Sequence, residues 1–513
     1  MHDGRRLPGE AQSLWLATTA PFGAGGTFPP EADVVIVGGG IVGISVAYQL
    51  RQLGRRVVLL EAAGLAASVT GNTTGKLTSQ HSLRYARIRG LFGTEKAHLY
   101  GAANQWAVSW VHETSVAEGI DCEFMWAPAQ IYSLKSEDRD AFSEELDACL
   151  ECGLPARLSD SNTLPFSAAA VLQFENQARF HPRKFLLGLA KLAQSEGVQF
   201  RENIRVEEIQ AGENLHLVKT SVGDISARHV VVATHYPVFD SGFYVAKLTP
   251  RRSYALAARV RGHVPDAMSI SHGEPMHSFR KAQYQDTDVL IIGGGHHKVG
   301  QDELTGTYYR DIEDWAHRTF DVEQILFRWS TQDNKTPDGL PYIGRSPGHE
   351  TIYVATGFDG WGMTNGVVSG KLISDQIQGL PNPWESVFEP ARMEIQAIPK
   401  MVVENLNVAK HLVGDRLSKV RSGRPEMLER GEAAVFEGSD GRLCAYRDEQ
   451  DRLFMVDAEC PHMGCQLHWN SAERSWDCPC HGSRFAPDGE VLHGPATTRL
   501  APRTTDGRSD LPG

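Results

Sequence analysis

The chain has 513 residues, with 51 Lys+Arg against 63 Asp+Glu and a formal net charge of −12. That length accommodates about two to four domains with real cores, and 41% hydrophobic with 22% charged residues excludes collagen, coiled coil and wholesale disorder. The acidic balance argues against a nucleic-acid partner, which would need a basic face.

Residues 1–30 are rich in Gly and Pro and read as an irregular leader. The pair Arg5-Arg6 invites a twin-arginine export reading. The nearest apolar patch, Leu14 to Ala17, is too short for the hydrophobic region such a signal needs. The most apolar stretch, Val34 to Leu50, includes four glycines plus Ser45, Tyr48 and Gln49. It suits a strand, a turn and a helix better than a membrane span. A soluble, cytoplasmic protein without a membrane span is the expectation.

Val34 to Val37 is a continuous β-branched run, as a buried parallel strand requires. Gly38-Gly39-Gly40-Ile41-Val42-Gly43 then fits G-x-G-x-x-G between strand and helix. Gly38 suits the tight turn, Gly40 the close approach of a pyrophosphate, and Gly43 helix–strand packing. The helix start offers free N–H groups to phosphate. Glu61 ends the next buried strand, Val57 to Leu60, where a carboxylate can hold ribose hydroxyls. A second run, Val289 to Gly295, imitates the motif but reaches Lys298 in place of the last glycine. It reads as a strand of another layer, leaving one dinucleotide site.

The loop Ser68 to Lys76, with Thr70, Thr73 and Thr74, is rich in hydroxyls suited to a flavin's phosphates and ribityl chain. The strand Val230 to Ala233 leads into Thr234 and His235. Near residue 356 a strand ends in Gly357 and Gly360, and a helix starts at about Gly362 with Met363 and Thr364. Its positive end can stabilise negative charge on a reduced flavin. Together these segments resemble the D-amino-acid-oxidase-like flavoproteins, the group with glycine and sarcosine oxidases, over about residues 31–380. The resemblance implies FAD, a glutathione-reductase-type Rossmann domain and oxidation of a C–N bond by hydride transfer. The expected fold is α/β, with FAD-binding segments near 31–90, 170–240 and 325–380. An interleaved α+β substrate layer takes 90–170 and 240–325. No cysteine lies between Cys152 and Cys444, so a thioether link to flavin in that region is excluded. Relatives hold a substrate carboxylate with a cation. Arg252, Arg280, Arg328 and Lys335 are candidates, with Lys76 and His81 as groups able to reach the flavin edge. The pair His296-His297 is read as surface histidines in preference to a site.

Residues 381–424 read as a linker, and 425–513 as a small all-β domain of short strands and turns. Five of the eight cysteines fall between Cys444 and Cys480. Cys460-Pro-His462 and Cys478-Pro-Cys480-His481 supply two thiolates and two imidazoles, suited to a [2Fe–2S] cluster. Structural zinc is the alternative for such a set. The spacing and Cys-Pro-Cys-His-Gly-Ser resemble the Rieske family of the cytochrome bc type. The resemblance implies Cys460, Cys478, His462 and His481 as ligands and a bracing disulfide between Cys465 and Cys480. It also makes Ser483 a hydrogen-bond donor to cluster sulfur and puts Phe485 where high-potential members carry tyrosine. Cys149 and Cys152 form an isolated C-x-x-C read as helix packing, and Cys122 and Cys444 read as packed thiols.

A flavin accepts two electrons and a Rieske centre carries one. The combined reading is oxidation of a small amine or amino acid, with electrons passing through the cluster to a one-electron acceptor. The alternatives are a non-catalytic redox sensor and a simple oxidase with an accessory cluster domain.

Overall fold

The computed structural model describes residues 7–159, 163–302, 304–392, 398–414, 420–421, 423–439 and 441–504. The Arg5-Arg6 pair lies outside them. Among the described residues, no helix is long and apolar enough to cross a membrane.

The strand Glu31–Val37 pairs in parallel with Val57–Leu60 on one side and Gly223–Val232 on the other. Gln199–Arg201 extends one edge and Ile352–Thr356 the other, both in parallel. The stretches 34–37, 57–60 and 230–232 of these strands are unbroken apolar runs because both faces are covered. The helices Ile41–Leu50 and Gly362–Gln378 pack together on one face. Close approach is possible there because Gly366 and Gly370 meet Ile41 and Ser45 with no side chain of their own.

The second layer is a nine-stranded sheet among the described residues. Its centre is Thr249–Val260 between Val322–Lys335 and Thr287–Lys298, all antiparallel. The glycine-rich imitation at 289–295 is a strand of this sheet, as its missing final glycine indicated. The layer boundaries shift from those expected: Ala170–Phe174 and Val322–Lys335 both belong to this sheet, not to the dinucleotide-binding segments.

The expected irregular leader is a correction. Glu10–Ala11 adds a parallel strand to the sheet edge, and the helix Leu14–Ala17 buries Leu14 and Trp15. Trp15 Nε1 donates to the Thr73 carbonyl at 2.7 Å and Ser13 Oγ to the Gly71 carbonyl at 2.5 Å. The leader therefore backs the hydroxyl-rich loop. The expected linker also contains a helix, Ile398–Gly414, with Val408 and Leu412 packed on the C-terminal core.

The C-terminal unit has two small antiparallel sheets, Ala433–Asp457 and His468–His493. It docks on the nine-stranded sheet through buried charge. Arg252, 2% exposed, meets Glu473 Oε2 at 3.3 Å and donates to Ser330 Oγ. Tyr309 Oη donates to Glu473 Oε1 at 2.8 Å, and Arg484 Nε bonds Asp477 Oδ1 at 3.0 Å. Thr305 Oγ1 donates to Asn470 Oδ1 at 2.7 Å. A Cβ on Gly300 would sit 2.6 Å from the Pro479 nitrogen, and one on Gly482 would sit 2.7 Å from Pro250. Both glycines have positive φ, at +68° and +79°, so the contact is close because no side chain intervenes.

Glu473→Ala strands the Arg252 charge, and removing one partner of such a pair costs about 3–5 kcal/mol. The expected result is an earlier denaturant transition, while Arg252→Met combined with Glu473→Leu recovers most of the loss. Equal stability of Glu473→Ala and the parent would show that the pair does not hold the two units together.

Candidate functional site

A cleft of about 760 Å³ opens at the carboxyl ends of the parallel strands, between the two layers. That size suits a cofactor. Gly38 has φ +110°, and a Cβ there would strike the Ala233 carbonyl. A Cβ on Gly43 would strike the Gly38 carbonyl, so this glycine closes the helix onto its own turn. Gly40 differs: its Cβ position faces the cleft and meets Thr70 Oγ1 at 3.1 Å. That unfilled cradle is what a close-lying pyrophosphate requires. The Glu61 carboxylate accepts the Gly39 N–H at 2.7 Å and the Ala63 N–H at 2.8 Å. Burial pushes its pKa up, and those two N–H groups oppose the shift.

Of the residues singled out for a flavin, Gly38, Gly40, Glu61, Thr70, Thr73, Thr74, Thr234, Gly360, Gly362 and Met363 line the cleft. Gly362 begins its helix, as expected. Gly43, Gly357 and Thr364 do not line it. Gly357 is held by a φ of +78° and the Thr336 methyl, and Thr364 Oγ1 lies 3.2 Å from His81 Nε2.

The substrate candidates divide sharply. Arg252 is the docking cation described above and is not in the cleft. Arg280 is spent on the carbonyls of Thr74, Phe180 and Lys281 and lies over the Trp15 ring. Arg328 bonds the carbonyls of Pro8 and Gly9 at the sheet edge. Lys76, His81 and Lys335 do line the cleft. Burial, with Arg280 nearby, pushes Lys76 down to about 7, and its ammonium contacts Ser278 Oγ at 3.1 Å. His81 is tied to Tyr100 Oη at 2.6 Å and stacks on Trp361, and burial holds it neutral.

The sequence reading missed Arg251. It lines the cleft with Ser253 and Ala255, and its buried Nε has no hydrogen-bond partner. Successive residues of a strand face opposite ways, so Arg251 and Arg252 cannot share a role. His296 and His297 divide in the same way. His296 lines the cleft with a buried, unpartnered Nδ1, whereas His297 bonds Tyr254 Oη at 2.8 Å. The pair is therefore not a set of surface histidines.

The second constellation sits on two loops. The Cys460 N–H donates to the Cys465 carbonyl at 2.9 Å, and the Cys478 N–H to the Ser483 carbonyl at 2.8 Å. Cys465 and Cys480 are joined by a disulfide that ties one loop to the other. Cys460 and Cys478 are buried and unbridged. The rings of His462 and His481 lie 5.1 Å apart between centroids, and each has a buried Nδ1 without a partner. Burial holds both imidazoles below their usual range, His481 at about 4. Neutral nitrogens and paired thiols are the donor set a Rieske cluster takes.

Residues 33–376 match the family of FAD dependent oxidoreductases, and residues 418–503 match the Rieske [2Fe-2S] domain. The chain belongs to the FAD dependent oxidoreductase family. It is an FAD-dependent oxidoreductase with a C-terminal Rieske domain, and its cofactors are FAD and a [2Fe–2S] cluster. The protein YhfW of Bacillus subtilis (strain 168), named as a Rieske 2Fe-2S iron-sulfur protein, is 36% identical over 92% of this chain and 93% of its own length. The cytochrome b6-f complex iron-sulfur subunit 3 of Nostoc sp. is 38% identical over 18% of this chain and 52% of that subunit. Glycine oxidase from Geobacillus kaustophilus shares the fold, with a TM-score of 0.60 at 18% identity over 71% of this chain and 100% of that one.

The two centres are separable by mutation. Gly40→Val fills the cradle, and the purified protein is expected to lack flavin absorbance; normal occupancy would reduce the motif to a packing turn. His462→Ala removes one imidazole from the Rieske set, and the cluster's paramagnetic resonance signal should disappear. FAD should stay, because the Cys465–Cys480 disulfide still braces the loops.

Proposed function

We propose that this oxidoreductase oxidises the C–N bond of a small amine or amino acid at FAD and passes the electrons singly through its Rieske cluster to a one-electron acceptor. FAD supplies hydride acceptance and the cluster supplies one-electron transfer. The ligands in this reading are Cys460, Cys478, His462 and His481.

One residue carries the reading. Ser483 accepts the Cys478 N–H on its carbonyl at 2.8 Å and the Ala496 N–H on its hydroxyl at 3.0 Å. Ala496 lines the FAD cleft. A cluster ligand and a wall of the cleft are thus two hydrogen bonds apart, with Tyr236 of the cleft close enough to feel the Cys478 sulfur. No second dinucleotide motif exists in the sequence to feed the flavin from a nicotinamide, which favours a small reductant entering the cleft.

Arg251 is the group suited to hold a substrate carboxylate. It is the cleft arginine with an unpartnered Nε, and an arginine presents a planar fork to a carboxylate. Asp333, its direct cross-strand neighbour, also lines the cleft and can take a substrate ammonium. His296 adds a neutral imidazole, since burial lowers its pKa. Lys335 and Lys76 complete the cationic side.

The test mixes the protein with candidate amines and amino acids without oxygen. Flavin absorbance should bleach first and the reduced-cluster resonance signal should grow afterwards. In Cys478→Ser, bleaching persists while reduction of a one-electron acceptor collapses. Arg251→Met should raise KM for a carboxylate substrate about tenfold or more, as expected for loss of a charge-assisted hydrogen bond, while leaving the resonance signal intact. A wild-type cluster that stays oxidised while hydrogen peroxide accumulates in air would instead mark a simple oxidase with an accessory domain.

A further inference from the structure

We infer that the Rieske domain is itself part of the FAD-binding site: the segment Val491–Thr497 walls the adenosine diphosphate half of the cleft. Val491, Leu492, His493, Gly494, Ala496 and Thr497 all line it. Each end of the segment is fixed. Arg205 Nη2 donates to the Val491 carbonyl at 2.9 Å, and the Ala496 N–H is held by Ser483. Between them the His493 ring lies 3.1 Å from His235 Nδ1 and bonds the Gly494 carbonyl at 2.9 Å.

The partners of this wall locate it along the cofactor. Arg205 follows Ile204, whose N–H donates to the Glu61 carbonyl at 2.9 Å, so the Arg205 side chain ties Val491 to the strand end that carries Glu61. His235 follows Thr234, beside the turn at Gly38. The Arg205 contact falls on the dinucleotide-fingerprint side, and the His235 contact leads from the turn at Gly38 toward Asp333, whose Oδ1 lies 3.8 Å from His235 Nε2. The surface has matching chemistry. Leu492 is 49% exposed, an apolar side chain a bound adenine could cover. His235 has a buried Nε2 without a hydrogen-bond partner, 3.8 Å from the Asp333 carboxylate, where a ribose hydroxyl could bridge the two. FAD binding and seating of the Rieske segment are then linked, and each must strengthen the other.

The inference rests on the cleft being the FAD site, which Gly40→Val tests separately. Full-length protein is stripped of FAD and titrated with FAD by fluorescence. His493→Ala and Leu492→Asp should each weaken FAD binding about tenfold or more, with the Rieske resonance spectrum and the Cys465–Cys480 disulfide unchanged. Hydrogen exchange adds a readout independent of turnover: FAD, or adenosine diphosphate alone, should slow the amides of 491–497. If Gly40→Val loses FAD while both segment variants bind it like the parent and exchange is unaffected, the Rieske wall plays no part in holding FAD. If Gly40→Val keeps FAD, the cleft assignment itself falls, and this inference with it.

Discussion

A buried charge cluster between Arg252 and Glu473 sets the position of everything at the C-terminal end. A charge taken out of water is tolerated when its partners are in place, and here they come from both units. Arg252, itself bonded to Ser330, and Tyr309 from the large unit meet Glu473 of the small one, which Arg484 approaches at 4.0 Å while pairing with Asp477. A slide of the small domain by one side chain would leave a buried charge unpaired. The cluster loops are thereby held at Gly300, which meets the Pro479 backbone, and at Gly482, which meets the Pro250 ring, because neither glycine carries a Cβ. Under the function proposed above, fixed docking would make transfer between the centres an event within one body, without the encounter step that separate carriers require.

What could be read from the sequence is what lies close together in it. The turn at Gly38–Gly43, Glu61 at the strand end, and the paired loops at 460–462 and 478–481 each need only local chain geometry. Gly38, Gly40 and Glu61 line the cleft, and the rings of His462 and His481 lie 5.1 Å apart. The buried parallel strands at 34–37, 57–60 and 230–232 followed from their unbroken apolar runs, and the imitation motif at 289–295 was separable by one absent glycine.

Strand phase was not legible. Arg251 and Arg252 are equal in composition, and the choice between them depends on which face of Thr249–Val260 meets the cleft. That face is set by pairing with Val322–Lys335 and Thr287–Lys298, far apart in sequence. His296 and His297 divide for the same reason. The leader was misread because Gly and Pro in it mark bends, whereas its structure comes from tertiary contacts: Trp15 reaches Thr73, and Glu10–Ala11 completes a sheet edge. Arg280 was unreadable too, since its role is to satisfy carbonyls of a loop two hundred residues earlier.

Docking, cluster and cofactor wall share one ladder, and this explains why they fit together. After Ser483 the chain enters the two-residue strand Arg484–Phe485, paired antiparallel with Val491–His493. Phe485 stands opposite Val491 and Arg484 opposite His493. The residue that leaves the cluster loop is therefore the cross-strand neighbour of the residue that meets His235. Arg484 is also the cation that closes the Asp477 side of the docking charges. A shift of this ladder by one residue would reverse the faces of Phe485 and His493 together. It would move an apolar ring off the core and an imidazole out of the cleft. Ser483 adds a lock on that register, because its carbonyl accepts the Cys478 N–H while its hydroxyl accepts the Ala496 N–H. The two bonds use different oxygens, so neither competes with the other.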